Sequence, residues 1–153
     1  MAEELKIRIH DYRKVEERLV QLGAKFSREA NVKDTYFNQE GHDVLKITES
    51  DEGDFLVELK SKDGKFEIVK HESIDNADEL KEELSSKFGV KCVLKKKRRF
   101  FGFGDYIINI NLIEDVGEFL VVEGKKPTKY IITEKMGIKD PEFITVPFSE
   151  LKK

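Results

Sequence analysis

A chain of 153 residues with a net charge of −3 and 39% charged side chains is no global polycation built for nucleic acid, and it carries no acidic tail. Its single cysteine, Cys92, excludes an intramolecular disulfide and agrees with a reducing cytoplasm. No run approaches the ~18 apolar residues of a membrane span, and the N-terminus lacks a signal peptide's apolar core.

In chain order, Leu5, Ile7 and Ile9 alternate with Glu4, Lys6 and Arg8, which predicts a strand with one apolar and one charged face. A helix follows over 12–22, capped by Asp11, striped by Val15, Leu19 and Leu22, and ended by Gly23. Strands are expected at 24–29, 32–38 and 44–49, then at 55–61 and 65–71 around a Lys62-Asp63-Gly64 hairpin. Asn76 and Glu79 read as a capping box for a second helix over 77–87, with Leu80 and Leu84 facing the core. Three more strands are expected at 90–101, 106–113 and 118–123, then a helix over 128–136 and an irregular or edge segment bracketed by Pro141 and Pro147. Consecutive strands joined by short turns imply antiparallel pairing and an α+β fold, and about eight such strands can close into a barrel without exposed edges. The length suits one domain over residues 1–153, and the Lys- and Glu-rich, Trp-free composition resembles that of hyperthermophile proteins.

Charges recur at alternate positions of several strands: Glu58 and Lys60, Lys65 and Glu67, Lys95, Lys97 and Arg99. Either these faces meet water, as one face of an antiparallel sheet often does, or they line a barrel lumen. Burying so many charges costs several kcal/mol each unless they pair or meet a ligand of opposite sign. Such a lumen suits a highly charged anion with its divalent metals. The KKKRR run at 95–99 sends its charges to both faces of a strand, which disfavours a nucleic-acid patch. His10, His42 and His71 lie far apart without metal-ligand spacing and read as surface or structural residues, and Cys92 reads as a buried inert thiol.

Six stretches occur in a characteristic order: Glu4-Leu5-Lys6-x-Arg8, DTYF at 34–37, LKI at 45–47, Val93-x-Lys95-x-Lys97, INLIEDVGEFLVVE at 110–123 and PFSEL at 147–151. Over nearly the whole chain this resembles the CYTH family of class IV adenylyl cyclases, thiamine triphosphatases and inorganic triphosphatases. The resemblance implies an eight-stranded antiparallel closed β-barrel, the triphosphate tunnel, with peripheral helices and charges pointing inward. It implies a cytoplasmic protein, monomer or homodimer, that hydrolyses or cyclises a nucleoside triphosphate, thiamine triphosphate or inorganic polyphosphate with Mg²⁺ or Mn²⁺.

Carried over residue by residue, the resemblance makes Lys6 catalytic and assigns phosphate binding to Arg8, Lys46, Lys60, Lys65, Lys95 and Lys97. A register one residue later, on Lys96, Arg98 and Phe101, stays open for the strand that carries Lys95 and Lys97. Glu4, Glu67 and Glu123 are the expected metal ligands, while Ala2, Val69, Asn111 and Val121 stand where the family places acids. Carboxylates hold metal whereas Lys and Arg hold phosphate, so these losses weaken metal affinity more than phosphate affinity. The departures keep a second reading alive, a tunnel protein that binds nucleotide or polyphosphate without efficient turnover. A third is a structural or interaction module with wet charged faces.

Overall fold

A computed structural model describes residues 2–152. The strands are β1 (Glu3–Ile9), β2 (Lys25–Phe37), β3 (Val44–Ser50), β4 (Gly53–Lys62), β5 (Lys65–Ser73), β6 (Val90–Phe103), β7 (Tyr106–Ile113), β8 (Gly117–Gly124) and β9 (Glu142–Ile144). They hydrogen-bond in the order β5-β4-β3-β2-β6-β7-β8-β1, and β1 pairs again with β5, which closes an eight-stranded antiparallel barrel. The free part of β1's edge is taken by β9: Glu3 and Glu4 pair with β5, whereas Lys6, Ile7 and Arg8 pair with Ile144, Phe143 and Glu142.

Local chemistry places the connections. The Asp11 carboxylate accepts from Lys14 N and starts helix α1 (Tyr12–Gln21). Asn76 and Glu79 bond reciprocally at the start of helix α2 (Ala77–Phe88), Asn76 Oδ1 accepting from Glu79 N and Asn76 Nδ2 donating to Glu79 Oε2. In the β4–β5 hairpin both Asp63 (φ 51) and Gly64 (φ 77) are left-handed, the geometry that matches strand twist.

One expectation is corrected and two are refined. The break at Ala30–Asn31 is absent, and β2 runs unbroken for 13 residues, because Ala30 and Val32 keep strand alternation on the inner face. The expected helix over 128–136 forms over 129–135, and its Ile131–Lys135 part is wound as a π-helix in which Met136 N bonds to Ile131 O. That wider winding lets Ile131, Ile132 and Met136 all be buried, which α-helical spacing would not allow on one narrow face. The proline-bracketed tail becomes β9 and a 3₁₀ turn, Phe148–Glu150.

Apolar burial is divided between the outside and one end of the inside. Outside, α1 and the 131–138 segment cover Leu5, Ile7, Ile108, Ile110, Leu120 and Val122, and α2 covers Phe37, Leu45 and Ile47. With the apolar sides of β1, β3, β7 and β8 turned toward helices, strand alternation sends their polar sides into the barrel. Inside, Tyr36, Leu59, Phe66, Leu94, Phe119 and Phe148 pack into a plug at one end, with Phe148 supplied by the C-terminal 3₁₀ turn. No helix of the described residues is long and apolar enough to cross a membrane.

Candidate functional site

Beyond the plug the interior opens into a cavity of about 430 Å³. Its focal residue is Asp34 on β2, whose carboxylate is fully buried. Lys46 Nζ on β3 lies 2.9 Å away, Lys96 Nζ on β6 2.7 Å, and Arg98 Nη2 3.4 Å, while Thr48 Oγ1 donates to it at 2.5 Å. Burial alone would raise the acid's pKa, but the charges of Lys46, Lys96 and Arg98 more than offset it and hold the group well below the carboxylate range. Lys96 Nζ also donates to the Tyr36 hydroxyl at 2.7 Å, and burial together with Asp34 pushes that phenol well above its ordinary value. Asn111 accepts from Arg98 Nε at 3.2 Å, so the asparagine that stands where the family places an acid orients the guanidinium.

Lys6 sits at the cavity floor. Its ammonium lies 4.2 Å from the ring centroids of both Phe66 and Phe148 and 3.8 Å from Glu4 Oε1. Burial lowers its pKa to about 8; Glu4 opposes that shift, and Lys46 and Arg98 add to it. Burial also depresses Lys96 well below the ordinary lysine value, with Asp34 opposing. On the β1–β8 ladder Glu4 stands directly opposite Glu123, and burial, then the Glu4 charge, raises the Glu123 pKa. At the exposed mouth, Arg28 pairs with Glu52 at 2.7 Å and lies over the Phe100 ring at 3.9 Å.

The structure gathers Lys6, Lys46, Glu4 and Glu123 around this cavity. Lys95 and Lys97 are corrected: both are exposed on the outer face, and the later register, with Lys96 and Arg98 inward, is the one formed. Lys60 is exposed outside as well, because Phe55, Val57 and Leu59 take the inner face of β4. On β5 a bulge at the Glu58–Leu59 step, where Lys70 and Ile68 are the successive partners, leaves Val69 unpaired and half-exposed. Ahead of the bulge, Phe66 and Ile68 point inward and Lys65 and Glu67 outward, Lys65 pairing with Glu3 at 3.3 Å; beyond it, the extra residue brings His71 inward as well. Arg8 lies past the plug over Phe119 and pairs with Glu142 at 2.9 Å, outside the cavity lining. Asp34, Thr48, Arg28 and His71 were not singled out by sequence as site residues. For Asp34 the signal was available, an acid at an inner position of a strand otherwise lined by Ala30, Val32 and Tyr36.

With Glu67 outside, two of the three expected metal ligands, Glu4 and Glu123, remain on the cavity. The raised Glu123 beside Glu4 is an unmet demand for positive charge, and Mg²⁺, which keeps several waters, fits such a pair. Among the described residues no three His, Cys, Asp or Glu side chains gather, so an ion here would rest on this pair alone and take its other ligands from water or phosphate.

Comparison with known proteins agrees with this construction. An adenylate cyclase candidate from Methanocaldococcus jannaschii is 31% identical over 132 residues, 78% of this chain and 74% of that one. A solved Pyrococcus horikoshii protein superposes with a TM-score of 0.89 at 21% identity, with both chains fully covered. The adenylyl cyclase-like protein of Hippeastrum, for which a dominant triphosphatase activity is described, superposes with a TM-score of 0.63 at 13% identity, over 100% of this chain and 97% of that one. The CYTH domain model matches residues 2–134, which includes all eight barrel strands, and on that match the chain belongs to the CYTH family.

Proposed function

We propose that this chain binds the phosphates of a triphosphate-containing compound in the charged half of its barrel and cleaves it, by hydrolysis or cyclisation, with the help of one divalent cation. The observation that carries the reading is the convergence of Lys6, Lys46 and Arg98 on one cavity with Glu4 and Glu123, backed by the buried Asp34–Lys96 pair directly behind its wall. Burial disfavours the charged forms of Lys6 and Lys96, so an arriving polyanion relieves a cost the empty fold already bears.

Roles follow from position. Lys46 and Arg98 are held by Asp34 and Asn111 and act as preorganised donors to phosphate oxygens, while Lys96, buried behind them on Asp34 and the Tyr36 hydroxyl, adds its charge to the cluster. Lys6, at the floor, is assigned the catalytic role of stabilising negative charge on the phosphate under attack. Glu4 and Glu123 would hold one Mg²⁺ or Mn²⁺, which when bound neutralises charge on the phosphate chain. Nucleoside triphosphates, thiamine triphosphate and inorganic tripolyphosphate are the compounds this chemistry admits.

The test is product release, phosphate, pyrophosphate or cyclic nucleotide, from these three compounds with Mg²⁺ or Mn²⁺, measured beside Lys6→Ala. Turnover above that variant supports the reading; none on any compound removes it. The outward Glu67 favours a second reading, binding without efficient turnover. That reading expects calorimetric affinity for tripolyphosphate that is little changed by metal, together with no product.

A further inference from the structure

The cavity wall is not uniform. Its charged groups come from β1, β2, β3, β6 and β8, whereas β4 and β5 present Phe55, Val57, Leu59, Ile68 and the imidazole of His71. The boundary runs along the β3–β4 ladder, where Lys46 lies opposite Val57 and Thr48 opposite Phe55. Neighbouring strands are about 4.8 Å apart, so a ligand lying across this boundary touches both chemistries at once.

A bare polyphosphate gains nothing from the uncharged wall. It is hydrated on every side, and apolar carbon offers its oxygens no partner. A flat organic ring gains a great deal there. Phe55 and His71 stack with centroids 4.6 Å apart and planes 29° apart, on the mouth side of the lysine cluster. Burial lowers the His71 pKa, and the positive charges of Lys46 and Arg98 lower it further. The imidazole is therefore neutral at pH 7 and offers an uncharged ring face.

We propose that the Phe55–His71 wall receives the base of a nucleoside triphosphate whose phosphates lie on the Lys46 and Arg98 side. These two residues then make the chain select a nucleotide over a bare polyphosphate. The assignment rests on the phosphate site proposed above.

The test measures affinity without divalent metal, so that turnover does not intervene, for ATP, thiamine triphosphate and tripolyphosphate. ATP is expected to bind about tenfold more tightly than tripolyphosphate, the usual worth of one base stacked on an aromatic ring. Phe55→Leu, which keeps the apolar volume but removes the ring, abolishes that advantage and leaves tripolyphosphate affinity within about twofold. A second readout uses the absence of tryptophan from the chain. In Phe55→Trp the new indole emission is quenched by ATP and unchanged by tripolyphosphate. Equal affinity of the wild type for ATP and tripolyphosphate overturns the inference while leaving the phosphate site standing. Tighter binding of thiamine triphosphate than of ATP also overturns it. If tripolyphosphate and both nucleotide-like compounds all fail to bind, the phosphate site falls with it.

Discussion

The two ends of the barrel interior are built from opposite materials. At one end Phe66, Phe119, Leu94 and Phe148 are almost wholly buried against one another. At the other, Asp34 is equally buried but surrounded by Lys46, Lys96 and Arg98 beside a cavity of about 430 Å³. An eight-stranded barrel is just wide enough for its own side chains to fill, or to hold one small ligand. This chain divides the interior between those options, so the plug supplies stability and the charged end holds electrostatic free energy that a ligand can release.

The strongest way to break this division is Asp34→Ala. It leaves Lys46, Lys96 and Arg98 facing one another without their shared counter-ion, and removal of one member of a buried charge cluster costs about 3–5 kcal/mol. Urea unfolding should show that loss in the free protein. Saturating tripolyphosphate should recover a larger increment of stability in the variant than in the wild type, because the ligand replaces the missing negative charge.

Phe148→Ala attacks the other end. It removes a ring that packs on Phe119 with centroids 4.7 Å apart and covers the Lys6 ammonium. Truncation of a buried phenylalanine costs about 3–4 kcal/mol. Here added tripolyphosphate should not recover more than it adds to the wild type, since the lost contacts are apolar. Equal rescue of both variants would erase the distinction between the two ends.

The contrast also explains what could be read from the residues. Strand positions were legible from alternation; the closed barrel and the inward direction of Glu4 and Lys6 were implied by the family resemblance, and their physical reason is the continuous apolar face of β1 that the flanking helices require. The same logic, applied without the family pattern, would have placed β4 correctly: Phe55, Val57 and Leu59 are its apolar face, and Lys60 has to point the other way. Two features were not legible. The bulge on β5, which no residue type marks, turns His71 to the inner face opposite Val57, whereas Lys65 and Glu67 lie ahead of it and share the outward side of Lys60 through the hairpin register. In β6 the run Lys95 to Arg99 places basic groups inside in either register, so alternation carries no choice between them.

Lys6→Met sharpens the electrostatic claim with a smaller effect of opposite sign. Because burial has lowered this lysine from 10.5 to about 8, the unfolded chain holds a proton between those values that the folded chain has released. Stability therefore rises with pH through that window, by up to roughly 3 kcal/mol from this group. The variant should be more stable than the wild type at pH 7 by about 1–3 kcal/mol, with the pH-dependent rise reduced. Its tripolyphosphate affinity should fall at least tenfold, measured by calorimetry. A variant that loses stability at pH 7 would mean that the pairing with Glu4, Phe66 and Phe148 outweighs burial.

The smallest effect is the sharpest test of register. Lys95 and Lys97 are chemically the same as Lys96, and all three lie within one strand. Only Lys96 reaches Asp34, at 2.7 Å, while Lys97 approaches Glu29 at 3.9 Å on the outer face. Exposed lysines are screened by water and salt, so Lys95→Met and Lys97→Met should each alter stability by no more than about 0.5 kcal/mol. Tripolyphosphate affinity should stay within about twofold in both, whereas Lys96→Met should weaken it at least tenfold. A weak Lys97→Met binder with an intact Lys96→Met would shift β6 by one residue. That shift would turn Lys96 and Arg98 away from Asp34 and dissolve the charged end as described.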